Sequence, residues 1–189
     1  MPWGVAGAAL GALVAVVLMR GTGRKEPETL AGPIGIRAPD ISQLSPEERA
    51  TRLFNRVMTL AENGKTDSVQ FFLPMALGAY GQLPSLDADA RYHVGHLQLL
   101  GGDVPGALAQ ADTMQQAVPT HLFASVLRAR AYVEQGNMAL ARRAYAEFLR
   151  NEAAELARNR PEYAADAHGP ELKAFHATAM RQAGNGRTS

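Results

Sequence analysis

A chain of 189 residues, 47% hydrophobic but only 6% aromatic, has room for one small domain and an accessory segment. Its apolar content is mainly Ala, Leu and Val, which suits close-packed helices better than a β-sandwich. The formal charge of +1, with acids and bases interspersed, leaves no electrostatic footprint for nucleic acid, and the absence of cysteine excludes disulfides, thiolate metal sites and cysteine nucleophiles.

Residues 3–19 carry no charged or strongly polar side chain before Arg20. As a helix they would span roughly 25 Å, close to a hydrocarbon core, so residues 1–20 are expected to form a single transmembrane anchor. A cleaved signal peptide would need a basic start and a small-x-small site just after the apolar run, and the chain has neither. Arg20, Arg24 and Lys25 follow the anchor, and the positive-inside rule then puts the large domain in the cytoplasm, with the periplasm as the alternative. Richness in Ala, Gly and Arg leans towards a bacterial inner membrane. Gly7 and Gly11 have the G-x-x-x-G spacing that lets two membrane helices form a homodimer, although an Ala/Gly-rich anchor also produces it by chance.

Residues 21–44 carry Pro27, Pro33 and Pro39 and no sustained apolar period, so they are expected to be a flexible linker. Ser45-Pro46-Glu47-Glu48 then reads as a capping box that opens a helical domain over 45–183. Leu53, Val57, Leu60 and Ala61 give the first helix an apolar stripe, Asn63-Gly64-Lys65 a turn, and Val69, Phe72, Leu73, Ala76 and Leu77 a partner stripe. Pro74 is expected to kink that second helix.

Further on, the chain repeats itself with a period of 34 residues: Gly102 falls on Gly136, Asp103 on Asn137 and Ala107 on Ala141. Gly95 and Ala129 supply a small residue within the first helix of each copy, Gly102-Asp103 and Gly136-Asn137 a turn, Tyr145 an aromatic in the second helix and Pro119 a closing proline. On these residues the segment from Asp87 to about Asn159 resembles the tetratricopeptide repeat family. Arg91 and Ser125 stand where that family has an opening aromatic, and Ala111 stands where Tyr145 would have its counterpart. The pair from Pro46 to Gly81 reads as a degenerate third copy. A last helix from Pro170 to Gln182, with Leu172, Phe175 and Met180, suits the cap that such a stack needs, and residues 184–189 are expected to fray.

The resemblance implies an all-α fold, a short α-solenoid of antiparallel helix pairs, whose first helices line a concave groove for a protein or peptide partner. Carried over residue by residue, that groove comprises Asp89, Tyr92, His96 and Leu99 from one copy and Phe123, Val126, Arg130 and Val133 from the next. Arg130 would there donate to a carboxylate, and the alternative is that Tyr92, Phe123 and Val126 pack into the domain itself. The subclass that clamps a chaperone's terminal carboxylate needs Lys and Asn where Tyr92 and His96 stand, which argues against that function.

No phosphate-binding loop, nucleophile elbow or H-E-x-x-H helix is present. His93 and His96 could hold a metal if Asp89 or the distant His121 supplied a third ligand; as no spacing links these, the two histidines are read as helix-surface residues and no metal or cofactor is assigned. Glu162 and Asp166 are likewise read as solvated surface. The expectation is therefore a non-catalytic, membrane-anchored adaptor or scaffold. A sharper alternative, resembling the repeat proteins that hold apocytochromes for maturation, would face the periplasm.

Overall fold

The computed structural model describes residues 44–184. The expected anchor with Gly7 and Gly11, almost all of the expected linker and residues 185–189 of the tail lie outside the described residues. Seven α-helices follow one another: α1 (Pro46–Glu62), α2 (Thr66–Gly81), α3 (Ala88–Leu100), α4 (Val104–Ala117), α5 (Leu122–Glu134), α6 (Met138–Leu156) and α7 (Gly169–Gly184). A 3₁₀ turn, Pro161–Tyr163, precedes α7, and no strand occurs among the described residues. None of the described helices is long and apolar enough to cross a membrane.

Local chemistry accounts for the helix ends. The Ser45 hydroxyl accepts from the Glu48 amide at 3.1 Å while Glu48 accepts from the Ser45 amide at 2.8 Å, closing the expected capping box. Asp103 and Asn137 cap α4 and α6 in the same way, accepting from the amides of Gly106 at 2.9 Å and Leu140 at 3.1 Å. Just before them, Gly102 and Gly136 turn the chain with φ of +78° and +69°, a conformation that costs a side-chain-bearing residue. The 34-residue correspondence is thus a correspondence of turn geometry, and Ala107 and Ala141 both lie fully buried at the base of their helices.

Each helix packs on the one before it, and α1, α3 and α5 also lie side by side. Two apolar cores result. One joins α1, α2 and α3 through Ala50, Phe54, Val57, Ala76, Tyr80 and Leu97. The other runs from α3 to α7 through Tyr92, Phe123, Leu127, Phe148, Leu172 and Phe175. On α1 the expected Val57 is fully buried, but Ala50 and Phe54 join it while Leu53, Leu60 and Ala61 stay half-buried, because that helix faces α3 as well as α2. The helix α2 runs through Pro74 without interruption. On α7 Leu172, Phe175 and Ala179 are buried, and Met180 instead points to solvent.

Gly95 allows a close approach of α3 to α5. A β-carbon there would stand 2.4 Å from Leu127 Cδ1 on α5, so its absence serves the contact with α5 rather than with α4. Polar contacts tie down the carboxy-terminal return. Glu155, fully buried, accepts from Thr120 and from Arg160 Nε at 3.0 Å, and the Tyr163 hydroxyl oxygen accepts from the Leu122 amide at 2.9 Å, satisfying an otherwise orphan donor at the start of α5.

Two substitutions test this packing. Gly95→Ala gains helix propensity but overpacks a fully buried Leu127, and is expected to lower stability by about 1–2 kcal/mol in chemical denaturation. Tyr163→Phe leaves the Leu122 amide buried without an acceptor and is expected to cost about 1–3 kcal/mol in the same measurement.

Candidate functional site

The helix α3 presents Asp89, Tyr92, His93 and His96 along one side, and the amino end of α7 brings His168 and Glu171 against them. Sequence spacing gives no hint of this meeting, because His168 lies 79 residues from Asp89. It happens because residues 157–168 return across the start of α5, held there by Tyr163 and by Glu162, whose carboxylate lies 3.1 Å from His121 Nε2. Glu162 is therefore an internal partner and not solvated surface.

His168 sits at the centre. Burial disfavours its charge, but the carboxylates of Asp89 and Glu171 outweigh burial and raise its pKa to about 9. As an imidazolium it donates from Nε2 to Asp89 Oδ1 at 3.0 Å and from Nδ1 to Glu171 Oε2 at 3.0 Å. Tyr92 and Phe123 each meet its ring edge-on with centroids 5.1 Å away, and stack on each other at 3.9 Å. Burial also opposes the charge of Glu171, yet His168, His96 and Arg130 around it hold its carboxyl at about 2.

The two histidines of α3 behave in the opposite way. Both are buried, which corrects the expectation of a surface pair. Burial lowers His93 to about 4, and burial with the Arg130 charge lowers His96 to about 3. The neutral His93 ring stacks on Phe54 with centroids 3.8 Å apart, bonds the Tyr80 hydroxyl through Nδ1 at 2.7 Å and turns Nε2 towards His168 Nε2 at 3.1 Å. His96 instead accepts from Arg130 Nη1 at 2.6 Å, while Arg130 Nη2 pairs with Glu171 Oε1 at 2.9 Å. The two rings thus serve different neighbours, so the His93/His96 pair does not form a shared metal site. His121 belongs to the Glu162 corner and does not join them.

Of the residues expected to line a groove, Asp89, Tyr92, His96 and Arg130 come together here. Tyr92, Phe123 and Val126 are fully buried, so the alternative in which they pack into the domain describes their place. Leu99 is half-buried, and Val133, 40% exposed, looks out near the end of α5. What the cluster offers chemically is two imidazole nitrogens and a carboxylate oxygen within 4.8 Å of one another, beside an arginine that grips a second carboxylate. His168 and Glu171 were the residues missed. Their only signal was a His and a Glu three positions apart at a helix start, which on its own marks nothing more than a cap.

No protein-family model, curated protein or solved structure matches this chain.

The opposed shifts fix the pH response of stability. Below pH 6.5 the unfolded chain takes protons on His93 and His96 that the folded protein refuses until about 4 and about 3, so stability falls on acidification. Above pH 6.5 the folded protein keeps the proton of His168 until about 9 while the unfolded chain has lost it, so stability falls on that side too. Urea midpoints measured with EDTA across pH 4 to 9 are expected to peak near 6.5, with the acid limb steeper because three histidines held below their usual range, His93, His96 and His121, drive it against one held above.

Proposed function

We propose that the chain is a membrane-tethered, non-catalytic adaptor whose tetratricopeptide-like domain holds a protein or peptide partner on the face formed by α3 and α5. The observation that carries this reading is that the face already grips a polypeptide segment. Glu171 of the same chain is held by Arg130 and bridged by His168 to Asp89, with a carboxylate in the place that the groove reading gives to Arg130. The matching turns of α3–α4 and α5–α6 support the solenoid, and the packing of α7 on α6 supports its role as the cap.

In this reading residues 161–172 close one half of the face, and the partner takes the other, beyond Arg130. There Leu99 is partly accessible and Val133 is 40% exposed. An apolar segment with an acidic residue near one end would suit that surface. The anchor over residues 1–20 would concentrate the partner at the membrane, on the cytoplasmic side by the charges of Arg20, Arg24 and Lys25.

Capture from solubilised native membranes with the full-length protein tests the reading. A partner is expected with the wild type and with Arg142→Ala, an exposed change on α6, and is expected to be lost with Leu99→Gln plus Val133→Asp while the helical circular dichroism is unchanged. Equal recovery by all three proteins would place binding elsewhere and sink the proposal.

A further inference from the structure

The convergence of Asp89, His93 and His168 has the spacing of metal ligands as well as that of a hydrogen-bonded cluster. His93 Nε2 and His168 Nε2 lie 3.1 Å apart, His168 Nε2 and Asp89 Oδ1 lie 3.0 Å apart, and one ligand atom from each of the three residues falls within 4.8 Å of the others. A tetrahedral zinc ion with bonds of about 2.0–2.1 Å holds its ligand atoms about 3.3 Å apart, so the two short separations are close to two edges of that tetrahedron.

The surroundings are those of ligands already oriented. A metal-bound imidazole uses one ring nitrogen for the ion and hands the other to a hydrogen-bond partner that fixes its tautomer and direction. Both rings follow this rule. His93 Nδ1 bonds the Tyr80 hydroxyl at 2.7 Å, and His168 Nδ1 bonds Glu171 Oε2 at 3.0 Å, so that each ring turns Nε2 to the common point. The stack of Phe54 on His93 and the edges of Tyr92 and Phe123 around His168 leave neither ring much freedom to rotate. Asp89 and His93 are four residues apart on one helix, which places both on the same side of it.

We propose that Asp89, His93 and His168 bind one divalent transition-metal ion of the zinc class, which fastens the start of α7 to α3. Two imidazoles with one carboxylate suit zinc or cobalt better than magnesium or calcium, which prefer oxygen throughout. Asp89, with its side chain 40% exposed, is the entry side, and water completes the coordination there. The ion takes the place of the proton that His168 Nε2 otherwise donates to Asp89. Glu171 stays outside the coordination shell, its second oxygen held by Arg130 at 2.9 Å. The ion would cross-link positions 75 and 79 residues apart, so it stabilises the returned carboxy-terminal segment more than any single helix.

The test uses the full-length protein in detergent, free of any histidine tag, stripped with EDTA and titrated with Zn²⁺ by calorimetry. Binding of one equivalent at micromolar or tighter affinity is expected, with a raised thermal midpoint, and Co²⁺ is expected to give the visible absorption of a four-coordinate site. His168→Gln and Asp89→Asn should each abolish that binding. Tyr80→Phe should weaken it by about 10–100-fold, the usual loss on removing an outer hydrogen-bond partner. His176→Gln serves as control, since His176 pairs with Glu152 at 2.6 Å in a histidine–carboxylate contact away from the site, and it should bind as the wild type does. Absence of stoichiometric binding by the folded wild type would overturn the proposal, and so would binding unchanged in folded His168→Gln.

Discussion

The arrangement depends first on how closely α3 and α5 approach each other. Gly95 opposite Leu127 removes the one atom that would hold the two helices apart. With that atom gone, Tyr92 and Phe123 come face to face, and Arg130 of α5 comes within bonding distance of His96 on α3. From Tyr92 to Leu97 every residue of α3 is buried, because α3 is wedged between the core it shares with α1 and α2 and the core that runs on to α7. A helix buried on so many sides would ordinarily be apolar all round. This one carries two histidines, and their burial raises a polar demand that the rest of the molecule must meet.

That demand is met from three directions. Tyr80 on α2 serves His93, Arg130 on α5 serves His96, and the start of α7 brings His168 and Glu171 to complete the balance of charge. The result alternates neutral and charged imidazoles within one small volume, with burial deciding the first kind and flanking carboxylates the second. Such a network is costly when incomplete, since each buried group left without its partner keeps its full desolvation penalty. The polar contacts of Glu155 and Tyr163 gain their importance here, because they guide the returning chain to the point where its histidine is needed.

Local signals made much of this legible in the sequence. The capping box at Ser45, the turns at Gly102 and Gly136 and the small residues at Ala107 and Ala141 each act within a few positions of the chain, and the helices begin and end where those residues direct. The phase of a buried stripe was less legible where a helix has two neighbours, which is why Phe54 and Ala50 are buried on α1 while Leu60 and Ala61 stay half-buried. The cluster was half legible: Asp89, Tyr92, His96 and Arg130 were picked out by carrying the groove of the tetratricopeptide resemblance over onto this chain. Their burial was not, since it depends on the chain's return over the start of α5. Nothing in the composition of residues 157–168 says which earlier helix they will cross, and a contact between positions 79 residues apart leaves no periodic trace.

That return also sets an order in time. The helix pairs up to α6 are built from neighbours in the chain and can assemble as they leave the ribosome, amino-terminal pairs first. His168 and Glu171 are made only after α6 is complete. Until they arrive, a nascent chain already folded through α6 holds His93, His96 and Arg130 without the carboxylate that balances them. Stopping synthesis anywhere between Leu156 and His168 would therefore yield a protein with α1 to α6 formed and an uncovered polar seam along α3, for quality-control proteases to find.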